Sequence, residues 1–385
     1  MNLITNTDEL RAFCESVKGM PYVTVDTEFM RERSYYSNLC LVQLASPEAA
    51  VAVDPLAEGI DLQPLFNLLK DESILKVFHA ARQDIEIFVD MMGSVPAPFF
   101  DTQVAAMVCG FGESVGYQTL VQKIVREKID KASRYTDWAQ RPLTDVQVEY
   151  ALGDVTHLRT VYEKLKAKLE KTGRAAWLTE EMAVLTSLST YQPDPMEAWR
   201  RLKLRTDKPQ ARAVLRELAA WREEEAQRAN VPRARIIGDN TLLEIASYPP
   251  KNEEALERKR GLGSGFSKSA RGQAILAAVQ RGLACSPEDC PPVQPKAQPL
   301  PKGARAVLDL LRVLLQQVSE EQDVAAKLIA SSSDLELLAS EDHPDIKPLS
   351  GWRYEIFGST ALDLKAGKLA LAVKDRKVIS FKTQE

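Results

Sequence analysis

Five cysteines and three histidines are the only thiol and imidazole groups in this 385-residue chain. The cysteines (Cys14, Cys40, Cys109, Cys285 and Cys290) are odd in number and form no CxxC pair, which supports neither a disulfide framework nor a cysteine zinc site. His79, His157 and His343 are too dispersed for a histidine-rich metal centre. Any metal is therefore expected on carboxylates. Long hydrophobic runs are also missing. Stretches such as Ile275–Val279 fall far short of the roughly 20 residues that span a bilayer, so no membrane partner is expected. The N-terminal MNLITNTDEL has neither a basic region nor an apolar core, which does not describe a secretory signal and leads to the expectation of a cytoplasmic protein. What is present is the usage of ordinary globular proteins, 45% hydrophobic and 27% charged, which excludes disordered and fibrous architectures. The length suggests two or three domains at roughly 150 residues each, and a monomer is expected.

Charge is segregated along the chain. Residues 1–199 hold 19 Lys and Arg against 29 Asp and Glu, residues 200–285 hold 18 against 10, and the remainder 13 against 15. The net charges are −10, +8 and −2 within an overall −4. A basic middle segment is an electrostatic handle for a polyanion, although solvated helix faces alone give a similar count.

The first 110 residues alternate short β-like runs with helical patterns. Tyr22–Phe29, Leu39–Ala45, Ala50–Val53 and Lys76–Ala80 read as strands, with helices near Leu62–Lys70 and Gln83–Met92. Three early strands with short connections predict a partial meander, hence a mixed α/β sheet. Thr144 with Gln147 three residues on fits a capping box, and the apolar stripe Leu158, Val161, Leu165 carries that helix to about Lys171, before Gly173. Tyr191–Pro195 breaks the pattern, with a short helix at Met196–Leu204. Residues 209–283 read as all-helical, with Gly261–Lys268 as a loop. The stretch 285–303, with Pro287, Pro291, Pro292, Pro295, Pro299 and Pro301, reads as a semi-rigid linker. A third helical unit runs from about Ala304 to Ile356, and Leu369–Phe381 is strand-like with no identifiable partner.

In Val23–Phe29, alternation puts Val25, Thr27 and Phe29 on one face and Asp26 with Glu28 on the other. Neighbouring carboxylates on so apolar a strand repel unless solvent or a cation compensates them. Taken alone, two surface acids on an exposed edge strand is the plainer reading. Asp84 falls in the first turn of a helix that follows a strand ending near His79; by itself it is an acid favoured by the helix dipole. Tyr150 and Asp154, spaced i,i+4, share one helical face.

The ordered combination is more specific than its parts. VDTEF, FHAARQDIEIF and EYALGDV resemble the three motifs of the DEDDy branch of the DEDD 3′–5′ exonucleases, and LCLVQLA, FFDTQVAA and IDKASRYTDWAQRPL resemble the stretches between them. The basic helical segment from about Lys208 resembles an HRDC domain. Residues from about 300, including Gly351–Arg353, resemble a second, degenerate one. The resemblance implies an α/β RNase H-like exonuclease domain with a mixed sheet (1–195), a first HRDC domain (208–285), a Pro-rich linker (286–303) and a second HRDC-like helical domain with a C-terminal tail (304–385). It implies a metal-dependent 3′–5′ exoribonuclease that uses two divalent ions, Mg²⁺ or Mn²⁺, and releases 5′-mononucleotides from RNA with a free 3′ end. Transfer RNA precursors and small stable RNAs are the expected substrates.

By the same resemblance Asp26 bridges both ions, Glu28 and Asp154 help hold the one that activates water, Asp84 supports the second, and Tyr150 orients the water. A phenol with a reference pKa near 10 is a poor base at neutral pH, so Tyr150 is an aligner first. Phe29, Gln43 and His79 are candidates for contact with terminal nucleotides, and Lys131 and Arg134 for phosphates. Core packing is the competing reading for Phe29 and Trp138, and a satisfied strand-end histidine for His79. A DNA-directed exonuclease, a catalytically silent RNA-binding protein and a helical scaffold are the alternative functions; the intact acids speak against the last two.

Overall fold

The computed structural model describes residues 2–129, 136–293 and 300–383. Two compact units emerge, one formed by 2–28, 40–129, 136–187 and 300–383, the other by 29–39 and 188–293.

The first unit contains a six-stranded sheet in the order β1-β4-β3-β2-β5-β6. Its strands are β1 (Leu3–Ile4), β2 (Tyr22–Met30), β3 (Asn38–Ala45), β4 (Ala50–Val53), β5 (Leu75–Phe78) and β6 (Phe99–Asp101). β3 and β4 pair antiparallel, whereas β1 with β4, β2 with β5 and β5 with β6 are parallel, so the sheet is mixed as expected. The sequence reading missed the two short edge strands β1 and β6. Helices α1 (Thr7–Ser16), α2 (Gln63–Lys70), α3 (Arg82–Met92), α4 (Thr102–Val108), α5 (Tyr117–Ile124), α6 (Asp145–Thr172) and α7 (Ala175–Thr186) complete this part of the chain. Val23, Val25, Leu41, Leu44, Val77, Phe78, Phe88 and Val155 are sealed from solvent in its core.

α6 forms where its end signals place it. Thr144 accepts the Gln147 N–H, the Gln147 side chain accepts the Thr144 N–H, and Gly173 closes the helix in the left-handed region at φ 70°. α6 is fastened to the sheet by Thr24, whose buried hydroxyl faces the carbonyls of Val155 at 2.8 Å and Ala45 at 3.2 Å. Arg141 fixes the segment before the helix, meeting both carboxylate oxygens of Asp54 at 2.6 and 2.7 Å and the Cys40 carbonyl at 2.6 Å. A bidentate guanidinium–carboxylate pair constrains direction as well as distance.

The C-terminal part of this unit is mainly helical and follows the second unit in sequence. The second unit holds α8 (Pro209–Ala229), α9 (Arg233–Ile236), α10 (Asp239–Ser247), α11 (Glu253–Glu257) and α12 (Ala270–Ala284) around a core of Leu215, Leu218, Ile245, Leu256 and Ile275. The expected helix at Met196–Leu204 is a 3₁₀ segment over Pro195–Arg201. The later helices are α13 (Ala304–Gln322), α14 (Ala326–Ile329), α15 (Ser332–Ser340), α16 (Gly351–Arg353) and α17 (Ser359–Lys365). They join the sheet-bearing unit. The Ala325 N–H donates to the Met107 carbonyl at 3.0 Å, the Trp177 and Trp352 rings stack at 4.3 Å, and buried Arg353 pairs with Glu180 and Glu181.

The strand-like tail finds its partner in itself, as the antiparallel hairpin of β7 (Leu369–Lys374) and β8 (Lys377–Lys382). Part of the expected linker lies outside the described residues. No described helix is long and apolar enough to cross a membrane.

Thr24→Val keeps the shape and leaves the buried Val155 carbonyl without its hydroxyl partner. A loss of about 1–2 kcal/mol is expected, read as a lower urea midpoint with an unchanged slope.

Candidate active site

β2 lies inside the sheet, between β3 and β5, which rules out the exposed-edge reading of its two acids. Asp26 and Glu28 are half-buried on it, and Tyr150 and Asp154 are half-buried on α6. A cavity of about 370 Å³ is lined by Asp26, Tyr150 and Asp154, together with His79, Tyr117 and Leu158 among others. Three of the five residues expected from the motifs thus share one hollow. Asp84, 7% exposed, accepts the Thr27 hydroxyl and interacts electrostatically with Asp26. Glu28 borders Asp26 electrostatically without lining the cavity. Among the described residues no three acids, histidines or cysteines are drawn in closely enough to clasp a single point. Asp26 and Asp154 face one space, with Asp84 and Glu28 near Asp26.

Their electrostatics follow from that placement. Burial, reinforced by the negative charges of Asp84, Asp154 and Glu28, holds the Asp26 carboxyl well above the ordinary range. Burial also pushes Asp84 up to about 7, against the opposing pull of its bond from Thr27. Hard oxygen donors whose charges penalise the ionisation of Asp26 suit a hard dication, which would remove that penalty; Cys and His ligands are absent from the set. The donor chemistry therefore fits a divalent metal.

Local structure explains the approach from β5. Ala80 turns the chain at φ 57°, a conformation disfavoured for a residue with a Cβ, and Asp101 holds the turn by accepting the N–H groups of Ala80 and Ala81 at 3.0 and 2.9 Å. The turn ends the strand beside His79 and starts α3 with Asp84 in its first turn. The Thr102 hydroxyl donates to the Phe78 carbonyl at 2.9 Å, so its oxygen is left to accept from His79 Nδ1 at 3.0 Å. Burial lowers the His79 pKa, which favours the neutral ring. His79 is thus a strand-exit histidine anchored through Nδ1 and a wall of the cavity.

The other candidates separate. Gln43 is 0% exposed, with no hydrogen-bond partner for its amide among the described residues. Phe29 is half-buried and belongs to the second unit. Lys131 and Arg134 lie outside the described residues. Trp138 is buried with its ring 6.2 Å from that of Tyr150, in line with the packing reading.

Sequence reasoning missed Tyr117. Its hydroxyl lies 2.6 Å from the Asp154 carbonyl and 3.2 Å from that of Gly153, so it braces α6 where the acid projects. Burial, then the charges of Asp154 and Asp26, raise its pKa far above the phenol range. No local pattern announces a bond to carbonyls 36 and 37 residues away. Thr27 was likewise read only as the opposite face of the strand.

Asp84 gives a pH signature. With its folded pKa raised from 3.8 to about 7, the folded chain retains a proton that the unfolded chain has released. In chelator, stability should therefore fall as the pH rises from about 4 to about 7, and Mg²⁺ should raise the melting temperature more at about pH 8 than at about pH 5. Equal Mg²⁺ shifts at both pH values would count against this electrostatic picture, and Asp84→Asn should flatten the dependence.

Comparison with known proteins gives a consistent answer. A 3′–5′ exonuclease family profile matches residues 1–170 and an HRDC domain profile matches residues 211–279. DEDD exonucleases typically use metal ions. Ribonuclease D of Nitrobacter hamburgensis is 52% identical over 379 residues, covering 98% of this chain and 99% of that protein. Ribonuclease D of Jannaschia sp. is 51% identical, covering 97% and 98%. The crystal structure of Escherichia coli RNase D, described as an exoribonuclease involved in structured RNA processing, superposes with a TM-score of 0.77 at 30% identity over 94% of this chain and 97% of that one. The catalytic core of RRP6 from Trypanosoma brucei, 22% identical with a TM-score of 0.53 over 73% of this chain and 79% of that one, shares the fold. From the ordered acids to the full-length identity, these observations place the chain in the ribonuclease D family of 3′–5′ exoribonucleases.

Proposed function

We propose that the chain hydrolyses the terminal phosphodiester of structured RNA from a free 3′ end, releasing 5′-mononucleotides, with transfer RNA precursors and small stable RNAs as substrates. The observation that carries this reading is the single cavity bordered by Asp26, Tyr150 and Asp154, with Asp84 held through Thr27. Asp26, Glu28, Asp84 and Asp154 would hold two Mg²⁺ or Mn²⁺ ions. Bound there, the ions supply an acidified water and offset charge on the attacking and leaving oxygens.

The remaining work belongs to the chain. Tyr150, one helical turn before Asp154 and packed near the Trp138 ring, orients the attacking water through its hydroxyl. Tyr117 fixes the α6 backbone beneath Asp154, and Thr24 fixes the same helix one residue further on. His79, bonded to Thr102, lines the space offered to the nucleotide. Phe29, Gln43, Lys131 and Arg134 are proposed as further substrate contacts, Gln43 only after the enclosing segments move, since its amide is sealed in the described structure.

Residues 208–285 are proposed as the first HRDC domain and 304–385 as the second with its tail, joined by the linker at 286–303. The 18 Lys and Arg against 10 acids in 200–285 support a role in drawing in phosphates.

Asp26→Asn and Asp154→Asn should each abolish turnover with RNA affinity largely kept. Tyr150→Phe should lower kcat by about 10²-fold with a smaller change in affinity. The assay is end-labelled RNA with a free or a blocked 3′ hydroxyl, with and without Mg²⁺ or Mn²⁺. Activity of Asp26→Asn equal to the parent, or cleavage of the blocked substrate, would refute the assignment.

A further inference from the structure

The connection between β2 and β3 leaves the strand that carries Asp26 and Glu28, yet residues 29–39 pack as part of the second unit. The reason is a polar lock around Tyr35. Its buried ring belongs to the core of the helical unit, alongside Leu218 and Ile236. Its hydroxyl donates to Glu223 and receives Arg233 Nη2 at 3.1 Å and Gln227 Nε2 at 3.2 Å, which fills the one donor and two acceptor positions of a phenol. Arg233 also pairs with both oxygens of Glu223 and lies 4.9 Å from the Tyr35 ring centroid. Asn230, which ends α8 in the left-handed region at φ 48°, accepts the backbone N–H groups of Tyr35 and Tyr36 at 3.1 and 3.0 Å.

This arrangement exceeds what stability of a helical unit requires. Glu223 is 2% exposed, and a buried ion pair gains little over apolar residues of the same volume. Here the pair is directed at a side chain 188 residues earlier in the sequence, and two backbone amides of the same segment are captured beside it. Only seven residues (31–37) separate the end of β2 from the start of β3, so fixing Tyr35 restricts the path on which β2 ends.

We infer that Tyr35, Glu223, Asn230 and Arg233 are positioning residues for the reaction, a lock by which the helical unit sets the exit of β2 and with it Glu28 and Phe29. The inference rests on the site proposed above. It gives the HRDC region a second role, in turnover on substrates too short to profit from its basic surface.

The test uses the full-length chain and a short single-stranded oligoribonucleotide. Tyr35→Phe retains the ring and removes the bonds to Glu223, Gln227 and Arg233. The expected result is a kcat lowered about tenfold with KM within about twofold, because small displacements of reacting groups act on the rate more than on binding. Faster hydrogen exchange confined to residues 29–39 should accompany it. Glu223→Gln should show the same pattern, which keeps the test open should either variant fold poorly. Glu225→Gln removes the pairs with Arg228 and Arg271 on the same helix and should leave kcat unchanged.

Parental kcat in folded Tyr35→Phe and Glu223→Gln would overturn the inference. So would a loss confined to KM, or an equal loss in Glu225→Gln. Asp26→Asn, assayed alongside, separates the two levels. If it is inactive while the Tyr35 and Glu223 variants behave as the parent, only the lock falls; if it is active, the site and the lock fall together.

Discussion

The charges of Asp84, Asp154 and Glu28 oppose ionisation of Asp26, which shares one hollow with Asp154, and the surrounding structure holds these groups in place regardless. Burial and neighbouring acids lift the Asp26 carboxyl far out of its ordinary range, so the acids have no preference of their own for this arrangement. Backbone ties supply it. Thr24, two residues before Asp26, bonds to the carbonyl of Val155, one residue after Asp154. That contact sets the separation of β2 and α6 at the level of the acids. Tyr117 braces the Asp154 carbonyl itself, Thr27 holds Asp84, and Arg141 secures the approach to α6 through Asp54. None of these groups has to touch substrate. Each turns an electrostatically unfavourable cluster into a fixed one, the condition under which binding a cation releases energy without rearranging the fold.

What could be read from the sequence divides by the range of the interaction. The ends of α6 were legible because a capping box and a C-terminal glycine are local devices, and the helix begins after Thr144 and stops before Gly173 as expected. Alternation placed Asp26 and Glu28 on one side of β2, and the order of the three motifs brought the acids together. Tyr117 and Thr27 stayed silent because a hydroxyl that reaches a distant carbonyl or carboxylate leaves no periodic trace. The C-terminal hairpin was missed for a different reason. Its turn residues Asp375 and Arg376 both take positive φ, 50° and 63°, without the glycine or asparagine that normally signals such a turn. Its two strands therefore read as one run.

The two helical regions are attached to their surroundings by similar chemistry with different consequences. Arg353, 2% exposed, donates to the Leu328 carbonyl at 2.7 Å and pairs with Glu180 and Glu181, while Trp352 stacks on Trp177. A guanidinium buried in this way makes separation costly, since either partner would be left an unpaired charge. It binds the late helices to α7, which carries none of the four acids. The Tyr35 cluster uses the same kind of buried guanidinium–carboxylate pair, but its third member sits seven residues after Glu28. A clamp of identical chemistry is thus structural in one place and, by its position in the chain, coupled to the reaction strand in the other.

Charge imposes the final division of labour. A site built from carboxylates repels the phosphates it must cleave, so the same surface cannot both hold cations and gather RNA. The chain keeps the two tasks in different segments, with a net −10 in residues 1–199 and +8 in residues 200–285. Cations in the cage would reduce the first charge locally, where the scissile phosphate enters, while the basic segment remains positive over an area large enough for several backbone contacts. Folding the acids and the bases into one surface would neutralise both, leaving neither a cage for a hard ion nor a field for a polyanion. Segregation along the sequence is therefore compatible with both tasks, and the HRDC match at residues 211–279 falls within the basic segment.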